Sequence, residues 1–83
     1  MSGWVVYIVR CADDSLYTGI AVDAARRVEE HNHDDRLAAK YTRVRRPVVL
    51  VYEEKCSSRS DAAKREARIK KLTRAQKVKL IGC

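Results

Sequence analysis

Eighty-three residues, 46% of them hydrophobic, allow one compact core, because two half-length domains would each bury too little apolar surface. A domain of this size buries only about 60% of its unfolded surface, which excludes a roomy internal chamber and requires any active site to be a surface cleft. The net charge of +7 is uneven, with thirteen Lys/Arg against four Asp/Glu in residues 42–83 and five against seven in residues 1–41, so the second half attracts a polyanion: nucleic acid, an acidic membrane or an acidic protein.

The elements follow in chain order. Trp4 to Val9 is β-branched and aromatic and reads as a strand, and Leu16 to Ile20 reads as a second. Ala12 to Ser15 between them is turn chemistry, which makes the pair an antiparallel hairpin. Asp23 caps a helix running to about Asn32, and Asp34-Asp35 is expected to start a short second helix before Tyr41. Thr42 to Arg46 is a basic loop closed by Pro47. The continuous apolar run Val48 to Tyr52 is then expected to be a central strand buried on both faces.

From Ser58 the pattern is helical, with Ala62, Ala63, Ile69 and Leu72 as the apolar stripe. Thr73 caps a last short helix that Gly82 ends. The order β-β-α-(α)-β-α-α predicts an α/β (α+β) domain over residues 1–83, with a small three-stranded sheet at its centre.

Cys11, Cys56 and Cys83 are odd in number and far apart, so neither a zinc site nor a disulfide framework is expected, and a reducing compartment is the simplest context. The apolar run at Trp4 is too short to span a membrane, follows no basic segment and meets Arg10 at once. A cytoplasmic protein without a membrane partner is therefore expected.

Glu66 is the most informative residue. It lies four after Ala62 and three before Ile69, on the face that should point inward, whereas Lys64, Arg68 and Lys71 turn outward. An inward carboxylate in a basic half needs an ion pair, for instance with Arg27, or a metal ion. Arg27 and His31 flank the inner stripe of the first helix one turn apart. A guanidinium beside a cleft binds a phosphate through two parallel hydrogen bonds; equally, its stem can simply pack over a sheet edge. For His31 the plainer reading is a hydrogen bond near a helix end.

Tyr7 and Tyr17 share a face of the hairpin if paired residue numbers sum to an even value, which needs an odd-length turn. A phenol near cations can accept a proton or orient a water, although hairpin tyrosines more often pack. Gly19 inside a strand marks a bulge or a close approach of backbone or ligand. Asp13-Asp14 and Asp34-Asp35 sit at turn and helix-start positions. One inward carboxylate therefore suggests one metal ion.

Together, Tyr7-Ile8-Val9, Tyr17-Thr18-Gly19, Asp23-x-x-Arg26-Arg27-x-x-x-His31-Asn32 and Glu66 resemble the GIY-YIG nuclease superfamily, in its small stand-alone bacterial branch. The segments Lys40-Tyr41-Thr42 to Arg45-Arg46-Pro47 and Arg65-Glu66-x-x-Ile69-Lys70-Lys71-Leu72 add to the likeness. Val6 stands in place of the first motif glycine and Thr18 in place of an isoleucine, beside the tyrosines rather than on them.

The resemblance implies a three-stranded antiparallel sheet flanked by helices, with Tyr7 and Tyr17 as motif tyrosines and Arg27 as catalytic arginine. It makes His31 a less constant active-site position and Glu66 the ligand of a single divalent ion, Mg²⁺ by preference and Mn²⁺ as substitute. The expected activity is metal-dependent endonucleolytic cleavage of DNA with low sequence specificity, selective for DNA shape as in repair or processing. Lys40, Arg43, Arg45, Arg46, Lys70 and Lys71 are expected to track the phosphate backbone. A protein partner or a homodimer would add specificity. The rival readings are a nucleic-acid-binding module without cleavage and a basic protein-interaction domain.

Overall fold

Five successive apolar residues, Val5 to Val9, leave neither face of a strand fit for water, and the sheet is arranged accordingly. In the computed structural model, which describes residues 3–82, strand β1 (Val5–Arg10) is the middle of a three-stranded antiparallel sheet ordered β2-β1-β3. All five of those residues are at most 5% exposed. Strand β2 (Leu16–Ala21) pairs with β1 across a five-residue turn, Cys11 to Ser15, in a register whose paired numbers sum to 26. The turn is held by Cys11 N–H on the Ser15 carbonyl at 2.8 Å and by the Asp13 carboxylate on Ser15 N–H at 3.0 Å.

Strand β3 (Val49–Lys55) lies on the other side of β1. The expectation of a central strand at Val48 to Tyr52 is thereby corrected, because β3 is an edge strand. It runs on through Glu53, Glu54 and Lys55, whose charges suit an edge that water can reach, while β1 carries no charge until its last residue. A register shift between Ile8 and Val9 lets Leu50 and Tyr52 pack into opposite layers.

Helix α1 (Ala24–His33) covers one face, with Ala24 and Val28 against Val5, Tyr7 and Val9. Its cap is Asp23, whose carboxylate accepts Arg26 N–H at 3.1 Å. The other face, Val6 and Ile8, is covered by helix α3 (Arg59–Lys70) through Ile69 and by Leu80 and Ile81 of helix α4 (Arg74–Ile81). Ser58 caps α3, and Thr73 and Gln76 form a reciprocal capping box on α4, which ends at Gly82.

Three further expectations change. The Asp34-Asp35 pair does not open a helix: Asp34 closes α1 and its carboxylate accepts the N–H groups of Arg36 and Leu37, both at 2.9 Å. The short helix, α2, is Lys40–Arg43, so Thr42 and Arg43 belong to it rather than to a loop. Ala63 is exposed, because α3 rests on the sheet along the narrower line of Ala62 and Ile69. Cys11 is a buried thiol, and Cys83 lies outside the described residues. No helix among the described residues is long and apolar enough to cross a membrane.

Candidate active site

The even register sum puts Tyr7 opposite Gly19 and Tyr17 opposite Val9, with both phenols on the α1 side of the sheet. Gly19 is required by close approach rather than by a bulge. A Cβ there would lie 2.6 Å from the Tyr7 hydroxyl oxygen and 2.8 Å from Cζ, so the phenol crosses the strand where a side chain is missing. The Tyr7 ring is 1% exposed.

His31, on the inner side of α1, is wholly buried behind that phenol, with Nε2 2.8 Å from the Tyr7 hydroxyl and Nδ1 2.7 Å from the Thr42 hydroxyl. Burial, then the neighbouring Arg27 charge, pushes its pKa down to about 4, so the imidazole is neutral at pH 7. Burial likewise pushes the Tyr7 phenol up to about 12, against the pull of Arg27.

Arg27 reaches the same point from α1. Its Nη1 donates to Glu30 Oε1 at 3.0 Å and to the Leu37 carbonyl at 2.6 Å, and the guanidinium is close enough for its charge to act on the Tyr7 phenol. Burial opposes its charge, but Glu30 and the phenol hold its pKa above the ordinary arginine value. Glu66 arrives from α3, close enough for its charge to act on the Tyr7 phenol. Its carboxylate does not pair with Arg27. It meets Lys70 one turn on, at 3.5 Å, and its side chain is 24% exposed.

Two hollows flank β2 and meet at Ile20. One, of about 280 Å³, is lined by Trp4, Ile20 to Asp23, Arg26, Arg27 and Glu30; the other, of about 500 Å³, by Ile20, Arg59, Ser60, Ala63 and Glu66. Among the described residues no strand pairs with the outer edge of β2. Arg27 and Glu66 thus each line one of two neighbouring hollows that share Ile20, and the buried Tyr7 phenol is close enough to feel both charges.

The structure therefore packs Tyr7 over Gly19 within electrostatic reach of Arg27 and Glu66, puts His31 behind it, and sets Tyr17 against His31 and Tyr41. The basic segment is deployed differently from a free phosphate track. Arg43 donates to the Asp35 carbonyl at 2.9 Å, and Arg45 pairs with Asp13 at 3.2 Å. Arg46 donates to the His31 carbonyl at 2.6 Å and pairs with Asp35 at 2.7 Å. Lys70 meets Glu66, and Lys40 and Lys71 are exposed.

Three residues of this neighbourhood carried no signal of their role in the sequence. Tyr41 stacks on Tyr17 with ring centroids 5.8 Å apart, and its other face takes the Arg45 guanidinium at 3.9 Å. Asn32 bonds both backbone groups of Val48, at 2.7 and 3.0 Å, as a strand partner would, and so ties α1 to the start of β3. Thr42, wholly buried, holds the far side of His31. The Tyr41-Thr42 pair inside a short segment before proline was visible, but not its fold.

Among the described residues no cluster of three or more His, Cys, Asp or Glu is placed to hold a metal ion. A single carboxylate at the wall of an open cleft still suits Mg²⁺, which keeps several waters and takes the rest of its shell from substrate phosphate. Glu66, whose ion-pair partner among the described residues is the half-exposed Lys70, has that chemistry.

Comparison with known proteins gives three concordant findings. The family model described as the GIY-YIG catalytic domain matches residues 3–79. The chain is 55% identical over 78 residues to the UPF0213 protein DP2720 of Desulfotalea psychrophila, covering 94% of this chain and 70% of that one. It is 54% identical over 81 residues to a UPF0213 protein of Staphylococcus aureus, covering 98% and 96%. Among solved structures, that of the UPF0213 protein BH0048 from Bacillus halodurans superposes with a TM-score of 0.60 at 38% identity, covering 95% of this chain and 82% of that one.

Proposed function

Since this chain belongs to the GIY-YIG catalytic domain family, matched across residues 3–79, we propose that it is a metal-dependent endonuclease that hydrolyses phosphodiester bonds in DNA. The observation that carries the reading is that a guanidinium and a partly exposed carboxylate from two helices line neighbouring hollows of a basic protein, both within electrostatic reach of the buried Tyr7 phenol.

Arg27 binds the non-bridging oxygens of the scissile phosphate, where its planar fork matches two oxygens at once and offsets the charge that grows during attack. Its bonds to Glu30 and the Leu37 carbonyl fix the fork before substrate arrives. Glu66 holds a single Mg²⁺, with Mn²⁺ as substitute, in the neighbouring hollow. When bound, the ion supplies Lewis-acid polarisation of the phosphate and a positive field that lowers the pKa of nearby water and phenol.

Tyr7 acts as its phenolate: its own proton leaves to solvent, and the phenolate oxygen then takes the proton of the attacking water. The Arg27 charge favours that deprotonated form against the cost of burial. Tyr17, stacked on Tyr41, packs against the far side of His31. No element among the described residues offers a row of side chains to a base edge, so selectivity falls on DNA shape, such as flaps, forks and nicks, in a repair or processing setting.

The test is cleavage of end-labelled branched and linear DNA by purified protein with Mg²⁺. Wild type is expected to cut the branched substrate, while Glu66→Gln and Arg27→Ala are expected to lose about 100-fold or more in rate while still binding it. Cutting that is unchanged in both variants, or absent from wild type that binds DNA, removes the enzyme and leaves a binding module.

A further inference from the structure

Helix α2 is one turn long, contributes little to the core, and yet buries Thr42 completely against His31. Two groups from this segment meet the same ring nitrogen: the Thr42 hydroxyl lies 2.7 Å from Nδ1, and the backbone N–H of Ala39 donates to Nδ1 at 3.3 Å. A backbone N–H can only donate. Nδ1 must therefore present its lone pair, because a proton there would face the Ala39 hydrogen head-on.

The Thr42 hydroxyl has a second acceptor within reach, the Ala39 carbonyl at 3.0 Å, but the shorter contact is to Nδ1. With Nδ1 an acceptor on both counts and the ring neutral, its one hydrogen sits on Nε2, which lies 2.8 Å from the Tyr7 hydroxyl oxygen. The imidazole then donates to Tyr7. We propose that Thr42, with the Ala39 backbone, is a positioning residue that locks His31 in the Nε2–H tautomer, so that His31 gives a hydrogen bond to Tyr7 and never takes its proton.

The polarity of that bond decides what Tyr7 presents to the cleft. In the locked tautomer the phenol oxygen accepts from His31 within the field of Arg27, and its own hydrogen is not spent on the imidazole. In the opposite tautomer Tyr7 would spend its hydrogen on Nε2 inside the protein. Arg46 keeps the ring in place from behind, donating to the His31 carbonyl at 2.6 Å, but it touches neither ring nitrogen and so cannot set the tautomer. The tautomer follows from the hydrogen bonds alone; its consequence for turnover rests on the nuclease reading above.

Two-bond ¹⁵N–¹H correlation spectra of histidine-labelled full-length protein at pH 7 report which ring nitrogen of His31 carries the proton, whether or not the protein cuts DNA. Wild type is expected to show Nε2–H, Thr42→Val a mixture of tautomers, and Thr42→Ser the wild-type pattern. In parallel, Thr42→Val is expected to lower kcat by about tenfold or more with KM within about twofold, and Thr42→Ser to restore it. Nδ1–H in wild type, or a tautomer indifferent to Thr42→Val, overturns the proposal, and the wild-type spectrum decides even if the valine variant fails to fold. Wild type that shows Nε2–H but cuts nothing overturns the nuclease reading and leaves the tautomer lock standing.

Discussion

Replacing Gly19 with alanine adds one methyl group at the point where the chain can least absorb it. The new Cβ would stand 2.6 Å from the Tyr7 hydroxyl oxygen, 2.8 Å from Cζ and 3.1 Å from Cε2, whereas ordinary contact begins at 3.4 Å. The phenol must retreat by about 0.8 Å, and removing its hydroxyl would not relieve the clash with Cζ. It has nowhere easy to go: the ring is 1% exposed and its oxygen is held at 2.8 Å by His31.

Overpacking of this kind costs about 1–3 kcal/mol, or a fall in Tm of about 4–8 °C for each kcal/mol in a domain of this size. A displacement approaching 1 Å at a reacting group costs about 100-fold in rate. Trp4, the single tryptophan, reports both unfolding in urea and, from its place in the hollow beside Arg27, the arrival of DNA. Gly19→Ala is expected to unfold earlier, to bind DNA as wild type does and to cut it about 100-fold more slowly. Wild-type stability and wild-type cutting together would show that Tyr7 is not fixed across β2 as described; lowered stability with normal cutting would show that its position does not matter to the reaction.

Four other outcomes follow from the same geometry. His31 has a pKa of about 4 in the folded chain against an ordinary 6.5, so the unfolded chain takes up its proton first as pH falls. Its contribution is whole above pH 6.5 and is lost progressively toward pH 4, amounting to about 3 kcal/mol; urea midpoints at pH 7, 5.5 and 4 should show this slope, flattened in His31→Gln. Glu66→Gln should change stability by less than about 0.5 kcal/mol, since the pair it breaks with Lys70 is solvent-exposed; a larger loss in thermal denaturation would make Glu66 a structural residue. Lys40→Ala with Lys71→Ala should reduce the salt dependence of DNA binding by about one counterion for each lysine removed. Replacing Arg43, Arg45 and Arg46 by alanine should instead lower Tm first, because all three guanidinium groups hold backbone or carboxylate partners within the chain.

Local chemistry was readable wherever the signal is local. The caps at Asp23, Ser58 and Thr73 and the stop at Gly82 all follow from residue type and spacing. The turn, by contrast, reads as four residues, Ala12 to Ser15, and only the structure's five, Cys11 to Ser15, bring Tyr7 and Tyr17 to one face. Gly19 was readable as a close approach, though not which residue approaches it. The rank of the two apolar runs was not, because both Val5 to Val9 and Val48 to Tyr52 can fill a sheet centre. The choice rests on long-range pairing and on the charges that follow Tyr52.

The arginines of residues 43–46 look like free positive charge in a linear sequence. Their partners Asp13, Asp35 and the His31 carbonyl lie between 8 and 32 positions away, and only the fold brings them near. The role of Thr42 is hidden for the same reason, since its one distinguishing feature is its hydrogen bond to a ring on another helix.

The central claim is that Glu66 presents a metal-binding carboxylate in the hollow beside that of Arg27, and it can be probed without turnover. Titrating Mn²⁺ into ¹⁵N-labelled protein broadens amide signals near the bound ion. Losses should begin at Gly19, Ile20, Ala63 and Glu66, and should vanish in Glu66→Gln. Broadening that starts instead around Asp13 or Asp34, or that persists unchanged in the glutamine variant, would contradict the account.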